Sequence, residues 1–253
     1  MSTALGNRAV VIGGGMGGLF AAAAVSEHFD EVVVVDRDQP AGPEPRKAVP
    51  QGQHFHVLLP GGMDARSEWF PGFENDLVEA GSVPMVAGRE FYVYTPEGRS
   101  YSMYTHQPEP IDGETMYVQS RPLLEDRVRH RVAGSPNVEL RYNTLVETPV
   151  MVDGVVSGVV LDTGEQIDAD LVVDASGRNS RTARWLPGLG FGEVPESHVN
   201  CDIQYVSAVL QPDDFDCYDG VVFFVFPDPN GEYPKRFGVM SKLEGGRWLT
   251  MVG

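Results

Sequence analysis

The chain has 253 residues, of which 42% are hydrophobic and 22% charged, the proportions of a soluble globular protein long enough for one large domain or two modest ones. Its 19 Lys and Arg against 36 Asp and Glu give a formal charge of -17. That charge repels polyphosphate backbones and anionic membrane surfaces, and with no compact basic patch to offset it, a nucleic-acid partner is not expected. The two cysteines, Cys201 and Cys217, are too few for a disulfide framework and stand in no zinc-like spacing, so free thiols in a reducing cytoplasm are expected.

Arg8 to Gly13 reads as a short buried strand, Met16 to His28 as an alanine-rich helix, and Val32 to Val35 as a second buried strand ending at Asp36. Residues 9–25 carry no charge, but the run is short for a membrane span and five glycines interrupt it, so neither a span nor a signal peptide is expected. Strand, glycine turn, helix and strand in under thirty residues make a βαβ unit with a parallel sheet. Pro40, Pro43, Pro45 and Pro50 keep Asp38 to Gly52 irregular. Short helices are expected over Met63–Phe70 and Asp76–Ala80, and Glu90 to Tyr104 alternates around a Pro-Glu-Gly turn as a hairpin.

Ser120 to Ala133 reads as a helix with Leu123, Leu124, Val128 and Val132 on one side. Several short strands follow from Val138 to Val173, the last running into DASGRNS. Composition changes near Pro187 to Pro195, and further strands are expected over 202–210, 221–226, 236–240 and 248–252. The sequence stops at Gly253 inside a strand that would need a neighbour, which reads as a second domain cut short.

Gly13-Gly14-Gly15-Met16-Gly17-Gly18 contains the spacing G-x-G-x-x-G. Gly13 permits the tight turn, Gly15 lets the backbone approach a pyrophosphate, and Gly18 lets the helix pack closely on the strand. The helix start then offers free N–H groups and a positive dipole end to phosphates. Asp36, 21 residues beyond Gly15, ends the second strand where a carboxylate accepts hydrogen bonds from an adenosine ribose. A carboxylate there disfavours the 2′-phosphate of NADP, and Arg37 beside it fits either a surface role or stacking near the adenine. An isolated glycine cluster would as easily be a flexible turn. Here the flanking strands, helix and terminal acid all agree on a dinucleotide.

The glycine loop, Asp36-Arg37 and Asp170–Gly177 (DLVVDASG) together resemble the FAD-dependent monooxygenases related to aromatic hydroxylases. Pro50–His56 (PQGQHFH) is similar to a subgroup allied to squalene epoxidases, flavin halogenases and geranylgeranyl reductases. The resemblance spans most of residues 8 to 184. It implies an α/β fold: a Rossmann-like FAD-binding domain from 5–80 and 115–190, interrupted by an inserted antiparallel substrate-side sheet from 81–114 and 191–253. It further implies that Gly13, Gly15 and Gly18 hold the FAD pyrophosphate, that Asp36 holds the ribose with Arg37 beside it, that Arg46 leads toward the flavin, and that Arg121 supports FAD near the pyrophosphate. Asp174 and Gly177 match the second fingerprint, but Ser176 stands where relatives carry an aspartate, which weakens direct NADPH handling. A later Gly-Asp fingerprint is missing, so the chain resembles the first three-fifths of a family member.

The activity implied is that of an oxidoreductase in which reduced flavin, fed by NADH or NADPH, passes an oxygen atom from dioxygen to an apolar or aromatic small molecule. The alternatives are a flavin-dependent isoprenoid reductase or halogenase, although a Trp-x-Trp-x-x-Ile stretch is absent, and an inactive or truncated FAD-binding module. No residue stands out as a catalytic acid or base, and no metal is expected. His54 and His56 fit a closing loop, ordinary surface histidines or, least well, a metal pair lacking a third ligand. Arg121 fits an anion at a helix start or an ion pair with Glu125. Arg178, Arg181 and Arg184 would form a basic stripe if helical. The aromatics Phe91, Tyr92, Tyr94, Tyr101, Tyr104, Phe223, Phe224 and Phe226 suit a sheet core better than a cavity, and Asp213, Asp214, Asp216 and Asp219 suit a solvated surface better than a calcium loop.

Overall fold

A computed structural model describes residues 5–40, 42–46, 49–56, 62, 69–86, 88–94, 100–102, 115–216, 218–227 and 236–253. In chain order its first elements are β1 (Gly6–Ile12), α1 (Met16–Ser26), β2 (Phe29–Val35), a 3-10 turn (Pro50–Gln53), α2 (Phe73–Glu79), β3 (Val83–Val86), β4 (Phe91–Tyr94), β5 (Ser100–Ser102) and β6 (Thr115–Val118). There follow α3 (Arg121–Ala133), β7 (Val138–Arg141), β8 (Val146–Val152), β9 (Val155–Leu161), β10 (Gln166–Asp168), β11 (Leu171–Asp174), a 3-10 turn (Gly177–Asn179) and α4 (Thr182–Gly188). The last are β12 (Val206–Leu210), β13 (Val222–Val225), β14 (Gly238–Leu243) and β15 (Arg247–Val252). The helix expected over 63–70 lies largely outside the described residues.

The chain divides into two compact units, residues 1–42 with 125–200 and residues 43–124 with 201–253. This division groups 43–80 and 115–124 with the second sheet, where the family resemblance placed them on the FAD side. One boundary falls inside α3, between Leu124 and Glu125.

The first unit holds an all-parallel sheet in the order β11-β1-β2-β7. Ala9–Ile12 and Val32–Val35 are uninterrupted apolar runs because both faces of the sheet are covered. Val10, Ile12, Val33 and Val35 pack against Val146, Val159, Leu161 and Ile167 of the antiparallel sheet β10-β9-β8. On the other side α1 packs against β1, β2 and β11, with Leu19 and Ala22 fully buried. In α3 the expected apolar positions Leu123, Leu124, Val128 and Val132 are all buried. Glu125 and Arg129 are buried too and form an ion pair one turn apart, with Nη2 to Oε1 at 2.7 Å.

The condition for a basic stripe, one helix through Arg178, Arg181 and Arg184, is not met. Arg178 lies in the 3-10 turn, Arg181 caps α4 from outside, and only Arg184 is within the helix, because Ser180 leaves the helical conformation (φ -51°, ψ 135°) between the two turns. Arg181 instead lies over the Trp185 ring, 5.6 Å from its centroid.

The second unit carries a six-stranded sheet, β12-β15-β14-β13-β4-β5, and a two-stranded one, β3-β6. The expected hairpin is β4-β5, antiparallel with Tyr92 opposite Ser102; its turn, 95–99, lies outside the described residues. β4 also pairs in parallel with β13. The final strand, read from sequence as lacking a neighbour, is interior: β15 is bonded to β12 on one side and β14 on the other. β12 starts at Val206 rather than near 202, since Val252, the end of β15, is its last available partner. One face of the large sheet packs Phe91 and Val222 with Met85 and Met116. The other stacks Tyr92, Phe223 and Trp248, with ring centroids 5.5 and 6.0 Å apart.

Candidate functional site

Strands β1, β2 and β11 end level, with Ile12 opposite Val35 on one side and Asp174 on the other. Their carboxyl ends therefore bring three loops together beside the central strand, the crevice where open α/β sheets bind ligands. Gly13 continues the sheet by donating its N–H to the Val35 carbonyl at 2.8 Å, then turns with φ +102°. A Cβ at Gly13 would lie 2.8 Å from the Ala175 carbonyl oxygen, and one at Gly18 only 1.7 Å from the Gly13 oxygen. Both positions thus require glycine. At Gly17 a Cβ would meet nothing within 4 Å.

Gly15 is the extended N-cap of α1, which has no side-chain cap and no acidic residue in its first turn. Its first N–H groups have no intrahelical acceptors, and an anion is the group they and the helix dipole favour. Asp36, 7% exposed, points back at this turn: Oδ2 accepts the Gly14 N–H at 2.6 Å and Oδ1 the Asp38 N–H at 2.9 Å. Gly14, which sequence spacing did not single out, is needed for that approach, because a Cβ there would lie 2.9 Å from Asp36 Oδ2. Arg37 is exposed and stands 4.0 Å from the Asp38 carboxylate.

Asp174 closes the other side. Oδ1 accepts the Ser176 N–H at 2.9 Å and the Ser176 hydroxyl, and Oδ2 accepts the hydroxyls of Ser180 (2.6 Å) and Thr182. Partial burial opposes ionisation, but these donors outweigh it and hold the carboxyl below its ordinary range. With four donors on two oxygens, Asp174 shapes the loop that carries Gly177. Sequence spacing did not reveal Ser180 and Thr182; the signal was present as an Asp followed closely by hydroxyl residues, a local turn chemistry.

Arg46 and Arg121 belong to the second unit. Arg46 is half-buried, and Arg121 opens α3 with its Cγ 3.9 Å from where a Gly52 Cβ would stand. The second unit also contains a cavity of about 580 Å³, lined by residues 43–45 and 52–56, the start of α3, and side chains of β12, β14 and β15. His54 and His56 both line it. His54 Nδ1 is 2.9 Å from the Ser207 hydroxyl, a partner 153 positions away that sequence reading could not supply. None of the described aromatics named from sequence lines the cavity; Phe55 does. The side chains of Tyr101 and Tyr104 lie outside the described residues. Among the described residues no group of three or more His, Cys, Asp or Glu gathers as a metal site, no helix is long and apolar enough to cross a membrane, and Cys201 is an exposed free thiol.

Residues 8–70 match the family model for the FAD binding domain, and residues 123–186 that for tryptophan halogenase. The chain is 33% identical to Protein Rv3254 of Mycobacterium tuberculosis, over 98% of this chain and 53% of that protein. It is more distantly similar, at 26% identity over 70% of its length and 39% of the relative's, to the digeranylgeranylglycerophospholipid reductase of Methanospirillum hungatei. Its fold is shared with PqsL, a probable FAD-dependent monooxygenase from Pseudomonas aeruginosa, with TM-score 0.71 at 16% identity, covering 98% of this chain and 60% of that one. The chain thus spans about half the length of Protein Rv3254. It has the mixed α/β fold of the FAD-dependent monooxygenases and halogenases, and its N-terminal segment, 8–70, is similar to the FAD binding domain.

Proposed function

We propose that this chain binds FAD and is part of a flavin-dependent oxidoreductase, a monooxygenase acting on an apolar or aromatic small molecule. The observation that carries the reading is the Asp36 carboxylate, 2.6 Å from the Gly14 N–H at the mouth of a turn that only glycine can form. FAD fits what is there: glycines where side chains would collide, open space beside Gly17, and an uncapped helix start free of acidic side chains.

In this reading the amides around Gly13, Gly15 and Gly18 hold the pyrophosphate and Asp36 the adenosine ribose, with Arg37 beside the adenine. Asp174 and Gly177 set the facing loop, and Arg46 and Arg121 add positive charge toward the cofactor. Bound FAD supplies the redox chemistry, taking electrons from NADH or NADPH and activating dioxygen. The protein's part is to orient it and keep water out. The FAD domain takes residues 5–80 and 115–190, with 81–114 and 191–253 on the substrate side. The exposed Cys201 thiol suits a reducing cytoplasm.

The tryptophan halogenase match over 123–186 favours a second reading, a flavin-dependent halogenase. Two measurements test these readings in turn. The purified chain titrated with FAD should turn yellow and quench flavin fluorescence, and Asp36→Ala should weaken that binding. A chain that is colourless once unbound FAD has been removed by gel filtration, and that leaves flavin fluorescence unchanged, overturns the proposal. NAD(P)H oxidation under air with and without chloride or bromide then separates oxygen transfer from halogenation.

A further inference from the structure

The QHFH stretch is the one sequence motif that the cofactor site leaves unexplained, and the structure puts both of its histidines on the wall of the second unit's cavity. At about 580 Å³ the space is that of a small-molecule pocket. Its apolar wall comes from Phe55, Val209, Leu243 and Leu249. The alternation of β12 and β15 turns Ser207, Val209 and Leu249 to the same face, since Val209 stands opposite Leu249.

The polar groups on this wall are unsuited to an anion. Among the described lining residues the one Arg or Lys, Arg247, is held by Glu244, with Nη2 to Oε1 at 2.8 Å and Nε to the Glu244 carbonyl at 3.1 Å. The other Glu244 oxygen accepts the Ser120 N–H at 2.9 Å, and Glu44 adds an exposed negative charge. The histidines are differently placed. His56 Nδ1 lies 2.9 Å from the His54 carbonyl oxygen, and a carbonyl can only accept. The proton of neutral His56 is therefore on Nδ1, and Nε2 carries a lone pair.

We propose that this cavity binds an uncharged, largely apolar small molecule through a hydrogen bond that the molecule donates, from an O–H or N–H, to Nε2 of His56, with the His54–Ser207 pair as the second polar contact. The assignment deepens the proposed function and rests on it in calling that molecule the substrate; the binding itself stands apart from flavin. Burial, and then the charge of Arg121 and the neighbouring His54, hold the His56 pKa below its ordinary 6.5, against the raising effect of its bond to the His54 carbonyl. The ring therefore remains an acceptor at neutral pH. The charged and titratable groups around it are His54, Arg121, Glu44, Glu244 and Arg247.

The test uses the whole chain, with and without FAD, and three probes of one shape: 2-naphthol, 2-methoxynaphthalene and 2-naphthoate. By calorimetry the naphthol should bind at least about tenfold more tightly than either the ether, which has no donor, or the anion, a difference of about 1.4 kcal/mol. His56→Leu and His56→Gln should each narrow the naphthol–ether gap, and naphthol binding should weaken as the pH falls through the lowered pKa of His56, below 6.5. Long-range proton–nitrogen NMR of the wild-type imidazoles checks the premise without any variant: His56 Nε2 should resonate as an unprotonated nitrogen at pH 7. Equal binding of naphthol and ether, no naphthol binding at millimolar concentration, a gap unchanged in both variants, or a protonated Nε2 would each overturn the assignment. Those results are independent of whether the chain turns yellow with FAD, so this proposal and the flavin reading can fail separately.

Discussion

In the first unit the candidate site is made of backbone: glycine amides, a helix start, and one carboxylate aimed at them, all within the span from Gly13 to Asp36. In the second it is made of side chains that arrive from stretches scattered between Pro43 and Leu249, with His54 and Ser207 joined across 153 positions. The contrast concerns tolerance. A backbone site fails as soon as a Cβ appears in the wrong place, because main-chain atoms cannot move aside. A side-chain cavity can lose one contact and keep its shape. Substitutions in the two places should therefore differ both in size and in what they disturb.

The largest effect is expected at Gly18. A Cβ there would stand 1.7 Å from the Gly13 carbonyl oxygen, so Gly18→Ala must push α1 off β1 or distort the turn, costing about 3 kcal/mol in chemical denaturation and abolishing FAD retention. Gly17→Ala is the matched control one residue away. It meets nothing within 4 Å and should hold or raise stability by about 0.5–1 kcal/mol, as alanine does in a helix. Equal effects at 17 and 18 would show that the close approach at Gly18 does not constrain the turn.

Next in size is Asp36→Ala. Removing the carboxylate strips the Gly14 and Asp38 N–H groups of an acceptor and, in the proposed complex, the ribose of its partner. FAD affinity should fall about 10- to 100-fold in a fluorescence titration, equivalent to roughly 1.4–3 kcal/mol. Asp36→Asn keeps an acceptor oxygen and should lose less. If the alanine variant binds FAD as well as wild type, the backbone alone is the site.

The sequence was readable where the contrast says it should be. Gly13, Gly15, Gly18 and Asp36 stood out because a turn, a close approach and a strand end each demand one residue type at one spacing, and the apolar runs of β1 and β2 announced a sheet covered on both faces. Where long-range pairing decides, spacing was silent. β15 looked like an open edge because nothing in Arg247–Val252 says that β12, 40 residues earlier, lies beside it. His54 looked like a loop histidine because its partner comes from that same distant strand. The three arginines from 178 to 184 would form a stripe only if helical, and their period of three is silent on Ser180, whose extended ψ of 135° separates Arg178 from Arg181.

Asp174 tests the loop facing the glycine turn. Its folded-state carboxyl is held below the ordinary 3.8, so the stability it adds is present above pH 3.8 and lost as pH falls through the lower folded value. Asp174→Asn should cost about 1 kcal/mol near neutrality, after allowance for partial exposure, and should flatten the dependence of stability on pH below 4. Asp170, lowered by the Arg8 and Asn7 N–H donors, shifts the same way, so the difference between wild type and variant is the quantity to measure. A pH profile identical to wild type would mean that the four donors position the loop without holding the charge.

The smallest effect belongs to Ser207→Ala. The hydroxyl lies 2.9 Å from His54 Nδ1, on the one half-buried residue of an otherwise exposed strand. Neighbouring side chains can relax around its loss, and one neutral hydrogen bond contributes about 1 kcal/mol at most. Stability should therefore fall by less than about 1 kcal/mol, while FAD binding, seated at the glycine turn of the other unit, should not change at all. The His54 ring signals should nevertheless move, because Nδ1 loses its only resolved side-chain partner. A loss as large as that of Gly18→Ala would mean that the cavity wall tolerates change no better than the backbone turn, and the distinction between the two sites would fall.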